Sequence, residues 1–283
     1  MSSYYNLISK KRGSVVTTPL DTDAQAFLTA TSITDATIKS AINQLVIDLK
    51  FYNIWDKLYF LHPYVGGTAT THKFNLKNPV DSNSAFRLSF IGGWTHTSTG
   101  ALPNGTNAYA DTFVSPNTYL NNIDLSSFGY YSRTNSAVTS EYVMGSNSGS
   151  TNAACALIIR RNTNLRSAIS DFNSNTNFRA AQDTNSLNGS GLFSGSQQGN
   201  SIKLYRNGVP VVTNTVTTLN TSLGSLPVVI GAIRSLSGAT PIIGGYTNKE
   251  CALDFAGKKL TDIEMLDLNT IIQSFQTTLN RQV

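Results

Sequence analysis

The segment Ile202-Lys203-Leu204-Tyr205-Arg206-Asn207-Gly208-Val209-Pro210-Val211-Val212 constrains the fold more than any other. Two strand-like runs flank Asn207-Gly208. A type I′ hairpin turn needs positive φ at both central residues, and Asn and Gly tolerate it. The segment therefore reads as an antiparallel hairpin. Pro210 has no N–H to give to a ladder, so its strand is expected at a sheet edge or with that position turned outward. Further short strands are expected at Phe86–Phe90, Glu141–Met144, Ala156–Arg160, Leu165–Ser170 and Pro227–Gly231, separated by Gly, Asn and Ser. Many short strands with polar turns predict a sandwich or jelly roll rather than βαβ units.

The period differs at the two ends of the chain. Ile38, Ala41, Ile42, Leu45, Val46 and Leu49 fall on one face of an amphipathic helix. Thr34 is its expected N-cap, and Ile33 with Ile38 a hydrophobic staple. Shorter helices are expected at Asp23–Thr29 and Asn53–Phe60, before His62-Pro63 and Gly66-Gly67 mark a change of regime. A last helix is expected over Asp262–Leu279, with Thr261 and Glu264 forming a capping box. The expected organisation is an N-terminal arm and helical anchor over 1–62 and a β-sandwich over 63–283.

Only 13% of residues are charged, against about 25% in ordinary globular chains. Ser, Thr and Asn take their place, as in Asn173-Ser174-Asn175-Thr176-Asn177. The formal charge is +5, but Lys and Arg are scattered, without the clustered face of a nucleic-acid binder. The N-terminus lacks a signal-peptide layout and no window approaches a membrane span. Synthesis in a reducing cytosol is expected, with Cys155 and Cys251 free and buried.

Two resemblances sharpen this. Ile202–Val212, Leu226–Ala232, Cys251–Gly257 and Leu260–Glu264 resemble, in order and spacing, the C-terminal half of a laminin G-like domain. Asp23–Phe27, Pro63–Thr68, His72–Pro79, Gly92-Gly93-Trp94-Thr95-His96, Leu102–Thr106, Tyr130–Arg133 and Phe275–Leu279 are similar to a module of tailed-phage structural proteins. Such modules occur in phages of Bacteroidetes, including crAss-like phages. The resemblance implies a concanavalin A-like jelly-roll sandwich and a virion role, as capsid decoration or tail component. Its expected partners are other virion proteins or sister subunits, and host surface polysaccharide. It carries no defined active site.

The candidate sites follow from residue chemistry. Glucanases on related folds need closely paired carboxylates. Here Glu occurs only at Glu141, Glu250 and Glu264, none paired on a strand, so no enzyme activity is expected. Trp94, His96, Tyr109, Tyr130 and Tyr131, with Tyr119, offer faces on which a sugar can stack; filling the core is the commoner use of such rings. Asn104, Asn107 and Asp111 form a polar loop with the hard oxygens that Ca²⁺ prefers, although Asn and Asp in turns more often cap backbone. No other cofactor is expected. His62, His72 and His96 would form a site only if folding brought them together. Lys10, Lys11 and Arg12 with Ile38, Ile42 and Leu45 are the expected particle anchor. The expected function is a virion structural protein presenting a lectin-like sandwich, with a tail receptor-binding lectin next and a depolymerase third.

Overall fold

Local capping sets the helices. In α1 (Thr22–Thr31) the Asp21 side chain accepts the Asp23 amide. In α2 (Ala36–Phe51) Asp35 accepts the Ile38 amide at 2.8 Å. Asp35, not Thr34, is thus the cap, and its charge also suits the positive end of the helix. The capping box of the last helix, α5 (Asp262–Thr278), forms as read, with Thr261 and Glu264 satisfying each other's amides.

The computed structural model describes residues 19–119, 126–148, 154–173, 177–185, 187–215 and 224–283. Lys10, Lys11 and Arg12 lie outside them. Between the outer helices run β1 (Leu58–His62), the short α3 (Ala69–His72), β2 (Ser89–Ile91), β3 (Trp94–Thr97), β4 (Gly100–Pro103), β5 (Tyr109–Asp111) and α4 (Pro116–Tyr119). Then come β6 (Ser126–Ser132), β7 (Met144–Asn147), β8 (Ala154–Arg161), β9 (Leu165–Asn173) and β10 (Asn177–Asp183). The remainder is β11 (Gly191–Gln198), β12 (Ser201–Arg206), β13 (Val209–Thr215), β14 (Val229–Ile230), β15 (Ile233–Ser237), β16 (Thr240–Gly244) and β17 (Cys251–Lys258).

These strands form two sheets packed as a sandwich. One has the order β13-β12-β11-β6-β17-β4-β3, with β1 also on β17; the other has the order β10-β9-β8-β7-β14-β5-β2, with β15 and β16 attached. Between them lie Phe128, Tyr130, Leu157, Ile159, Phe193, Leu204 and Ile230. A second core fills the outer face of the first sheet, where Tyr131, Leu192, Tyr205, Leu253 and Phe255 meet Phe27, Ile42, Leu45, Leu268, Ile272 and Phe275 of the helices. The molecule therefore has three layers, helices, sheet and sheet. Cys155 and Cys251 are free and buried.

Several expectations are corrected. Ile42 and Leu45 are buried against the chain's own α5 and sheet, and Ile38 packs at the edge of that core. The stripe expected to anchor a particle is already covered. The division at 62 separates β1 from its partner β17, with which it pairs from Leu58↔Gly257 to His62↔Asp254. Asn53–Phe60 is not a helix but one 3-10 turn (Trp55–Lys57) entering that strand. Phe86 takes a left-handed φ of 59° at the end of a 3-10 turn, so the strand expected there starts at Ser89.

The hairpin forms as read. Asn207 and Gly208 have φ of 50° and 77°, and β13 is the edge strand. The turn also wedges onto α5: a Cβ at Gly208 would lie 2.9 Å from Leu266 Cα and 2.8 Å from Asn269 Cβ. Gly208→Val combines backbone strain with a displaced helix, at a cost on the order of 3 kcal/mol. A lower melting temperature with unchanged far-UV circular dichroism is expected. An unshifted melting curve would contradict the turn.

Candidate glycan-binding surface

The chain changes sheets between β2 and β3, and Gly92-Gly93 makes the corner. Gly92 has φ of 78°. A Cβ there would fall 2.2 Å from the Asn107 carbonyl oxygen, and one at Gly93 would fall 2.4 Å from Asn104 Nδ2. Only glycine lets the corner sit against the 104–107 loop. Two sequence signals that looked separate, the Trp94 aromatics and the Asn104/Asn107 loop, therefore share one end of the sandwich.

That loop is fixed by its own side chains. Asn104 Oδ1 accepts the amides of Thr106, Asn107 and Ala108 at 3.0, 3.1 and 3.2 Å. Asn104 Nδ2 donates to Asn107 Oδ1 at 2.8 Å, and the Gly93 amide donates to the same oxygen at 3.1 Å. Asp111 accepts the Phe113 amide at 2.8 Å and pairs with Arg234. The oxygens expected to hold Ca²⁺ are thus engaged by backbone amides, the Asn104 side-chain amide and a guanidinium. Among the described residues, no three His, Cys, Asp or Glu side chains gather to hold a metal ion.

Trp94 is half-buried, and its indole N–H reaches the carbonyls of Ile91 and Tyr109, both at 3.1 Å. Its ring meets Phe90 edge-on at 5.2 Å and lies stacked with His96 at 6.3 Å. Along β3, Trp94 and His96 alternate with the exposed Thr95 and Thr97. Ile91, 37% exposed, and Gly92, Gly93, Thr106 and Asn107 are exposed at this corner, whereas Leu102, 39% exposed, lies across the ladder from Thr95 on the face away from Trp94. Tyr109 is half-buried and pairs across the ladder with Ile91.

Tyr130 and Tyr131 are corrected out of any contact surface, since both are fully buried. Tyr130 lies between the sheets with its hydroxyl on the Lys249 carbonyl at 2.6 Å; Tyr131 lies under the helices. The side chain of Tyr119 lies outside the described residues.

The histidines are not isolated. His72 and His96 meet with their Nδ1 atoms 2.9 Å apart. His62 faces two acceptors, Asp254 Oδ1 at 2.6 Å and the Phe86 carbonyl at 2.9 Å. Tyr64 donates to Asp254 Oδ2 at 2.6 Å. His62 is thus held at both ring nitrogens, and Asp254 is shared between His62 and Tyr64. Sequence reading missed Asp254 and Tyr64 because partners nearly two hundred residues apart leave no local pattern. The glutamates are engaged too. Glu141 is buried against Lys249 and Thr247, and burial pushes its pKa up to about 7. Glu250 pairs with Arg133 at 3.0 Å.

No family model matches the chain, and no curated protein sequence matches it. Solved structures do. The binding domain of botulinum neurotoxin DC, solved in complex with rat synaptotagmin II, matches with a TM-score of 0.52 at 12% identity over 78% of this chain and 52% of that one. The serotype C1 binding domain matches with 0.52 at 14% identity over 79% and 53%. This chain thus spans about half the length of those domains. Domain 4 of AbnA, a GH43 extracellular arabinanase from Geobacillus stearothermophilus, is similar at 14% identity over 75% and 98%, with a TM-score of 0.43. At these identities the likeness to the two neurotoxin binding domains defines the class of fold, a mainly β sandwich, and nothing finer.

Proposed function

We propose that the chain is a carbohydrate-binding β-sandwich carried on a tailed-phage particle, and that it contacts neutral host polysaccharide through the open end built by residues 89–110. The observation carrying this reading is the convergence of Trp94, the exposed corner at Ile91 and the rigid 104–107 loop. Sugars suit such a surface, because their C–H faces pack on rings while their hydroxyls meet fixed polar groups. From Ser89 to Ala110 the sequence contains no Asp, Glu, Lys or Arg, which favours uncharged sugars. A sandwich of this architecture also serves botulinum neurotoxin type C, whose cell entry depends on interaction with two ganglioside molecules. The virion role is supported by the low-charge composition and the resemblance to phage modules. Binding rather than cleavage is supported by the glutamates, each held by a cation rather than paired for hydrolysis.

The test is binding of the intact chain to neutral polysaccharides of a Bacteroidetes host. Trp94→Ala is expected to weaken binding about tenfold or more, equal to about 1.4 kcal/mol. Ile91→Lys, at the exposed rim, should weaken it with an unchanged melting temperature. Wild-type binding by both variants would overturn the site, and released reducing ends would overturn binding without cleavage. Proteomics of purified particles tests the virion assignment.

A further inference from the structure

The geometry points to an acid-sensitive latch: the His72–His96 pair holds the open end of the sandwich together while both rings are neutral, and lets go when the pair takes up a proton. His72 ends α3 and is fully buried; His96 sits half-buried on β3. Their Nδ1 atoms are 2.9 Å apart, so one carries the hydrogen and the other is bare. His72 Nε2 is buried and has no partner among the described residues. A hydrogen there would be an unsatisfied buried donor, so it belongs on His72 Nδ1, donated to His96.

In this arrangement another proton finds no partner to stabilise it. On His96 it must go to Nδ1, where the hydrogen of His72 already points. The rings then separate, or His72 shifts its hydrogen to the unpartnered Nε2. On His72 it creates a buried cation with no free anion beside it. The charged and titratable groups around the pair are accounted for. Tyr64 lies edge-on to His72 at 5.4 Å with its hydroxyl spent on Asp254, the Asp254 carboxylate is engaged by Tyr64 and His62, and Arg281 adds a positive charge. Phe90 and Trp94 close the other side with uncharged rings.

Burial, with repulsion from His96 and Arg281, lowers the His72 pKa to about 3, and burial lowers that of His96. For a base whose pKa is depressed in the closed state, the closed state is fully favoured above the ordinary value. It loses ground as pH falls below about 6.5, by up to tenfold per pH unit for each histidine. His96 stacks on Trp94 and meets Phe90 edge-on at 4.6 Å. Its departure therefore removes the support behind the indole. Acid-dependent loss of glycan follows only if the binding reading above holds; the latch itself does not depend on it.

The experiment follows Trp94 emission of the full chain carrying Trp55→Phe, since the sequence has two tryptophans. Between pH 8 and pH 4 a transition below about pH 6.5 is expected, with unchanged far-UV circular dichroism. His96→Gln, whose amide can still meet His72 Nδ1, should weaken the transition because His72 alone is left to titrate, and His96→Gln combined with His72→Phe should abolish it. Flat emission to pH 4, or the same transition in the double variant, would overturn the latch. Neutral polysaccharide bound at pH 8 and released across the same transition would support both readings. The transition without polysaccharide bound at any pH would support the latch and sink the binding site alone.

Discussion

Replacing Arg281 with alanine is expected to remove about 4 kcal/mol or more of stability, a large share of the roughly 5–15 kcal/mol that holds a domain folded. The side chain is 1% exposed. Its guanidinium donates to the carbonyls of Pro63, Tyr64 and Ala252 at 2.7, 2.8 and 3.1 Å, and to Gln276 Oε1 at 2.5 Å. One side chain thus ties the exit of β1, the start of β17 and the end of α5. Those acceptors are carbonyl and amide dipoles, so the cation is poorly compensated, and burial lowers its pKa to about 9. Truncation strands several buried acceptors at once, each costing about 1–3 kcal/mol before relaxation. Lysine brings a single ammonium and cannot span the fork, so Arg281→Lys should restore only part of the loss. Urea unfolding provides the measurement. A shift below 1 kcal/mol would show that the carbonyls find other donors.

A chain beginning at His62 is expected not to fold. The sequence suggested the reverse, a sandwich independent of its N-terminal helices. Such a truncation removes Leu58, Phe60 and Leu61 from the ladder with β17. It also uncovers Tyr131, Leu192, Leu253 and Phe255, which pack under the helices. At about 1.5–3 kcal/mol for each large apolar side chain returned to water, losing this layer exceeds any plausible domain stability. Aggregation, or dye-binding compact states without near-UV circular dichroism, should result. A soluble monomer with cooperative unfolding would contradict the three-layer core.

What could be read from the residues was local. Asn207-Gly208, the Thr261/Glu264 box and the Ile38–Ile42–Leu45 stripe each carry their own geometric requirement, and each formed. The stripe announced that it must be buried, but not against what, so a partner was inferred where the chain supplies its own sheet and α5. β6 shows the same limit. Its burial is complete along its length because both faces are covered, so Tyr130 and Tyr131 look alike in sequence yet enter different cores. At the candidate surface the residue types of Trp94, His96, Asn104 and Asn107 were visible, but their convergence was not. It depends on a corner that only Gly92 and Gly93 permit.

The position of β17 has a kinetic consequence. It is the last strand to be synthesised, yet in the sheet it pairs with β6, β4 and β1. Until Cys251–Lys258 leaves the ribosome, β1 has no ladder partner and β4 lacks its link to β6. The nascent chain therefore waits with a split sheet and an uncovered apolar face. Closure over so long a loop makes folding slow. During that wait Arg281, which follows β17 in the chain, is still to come. Ribosomes stalled before residue 251 should hold this protein protease-sensitive, and chaperone demand should be set by this interval rather than by the stability of the finished molecule.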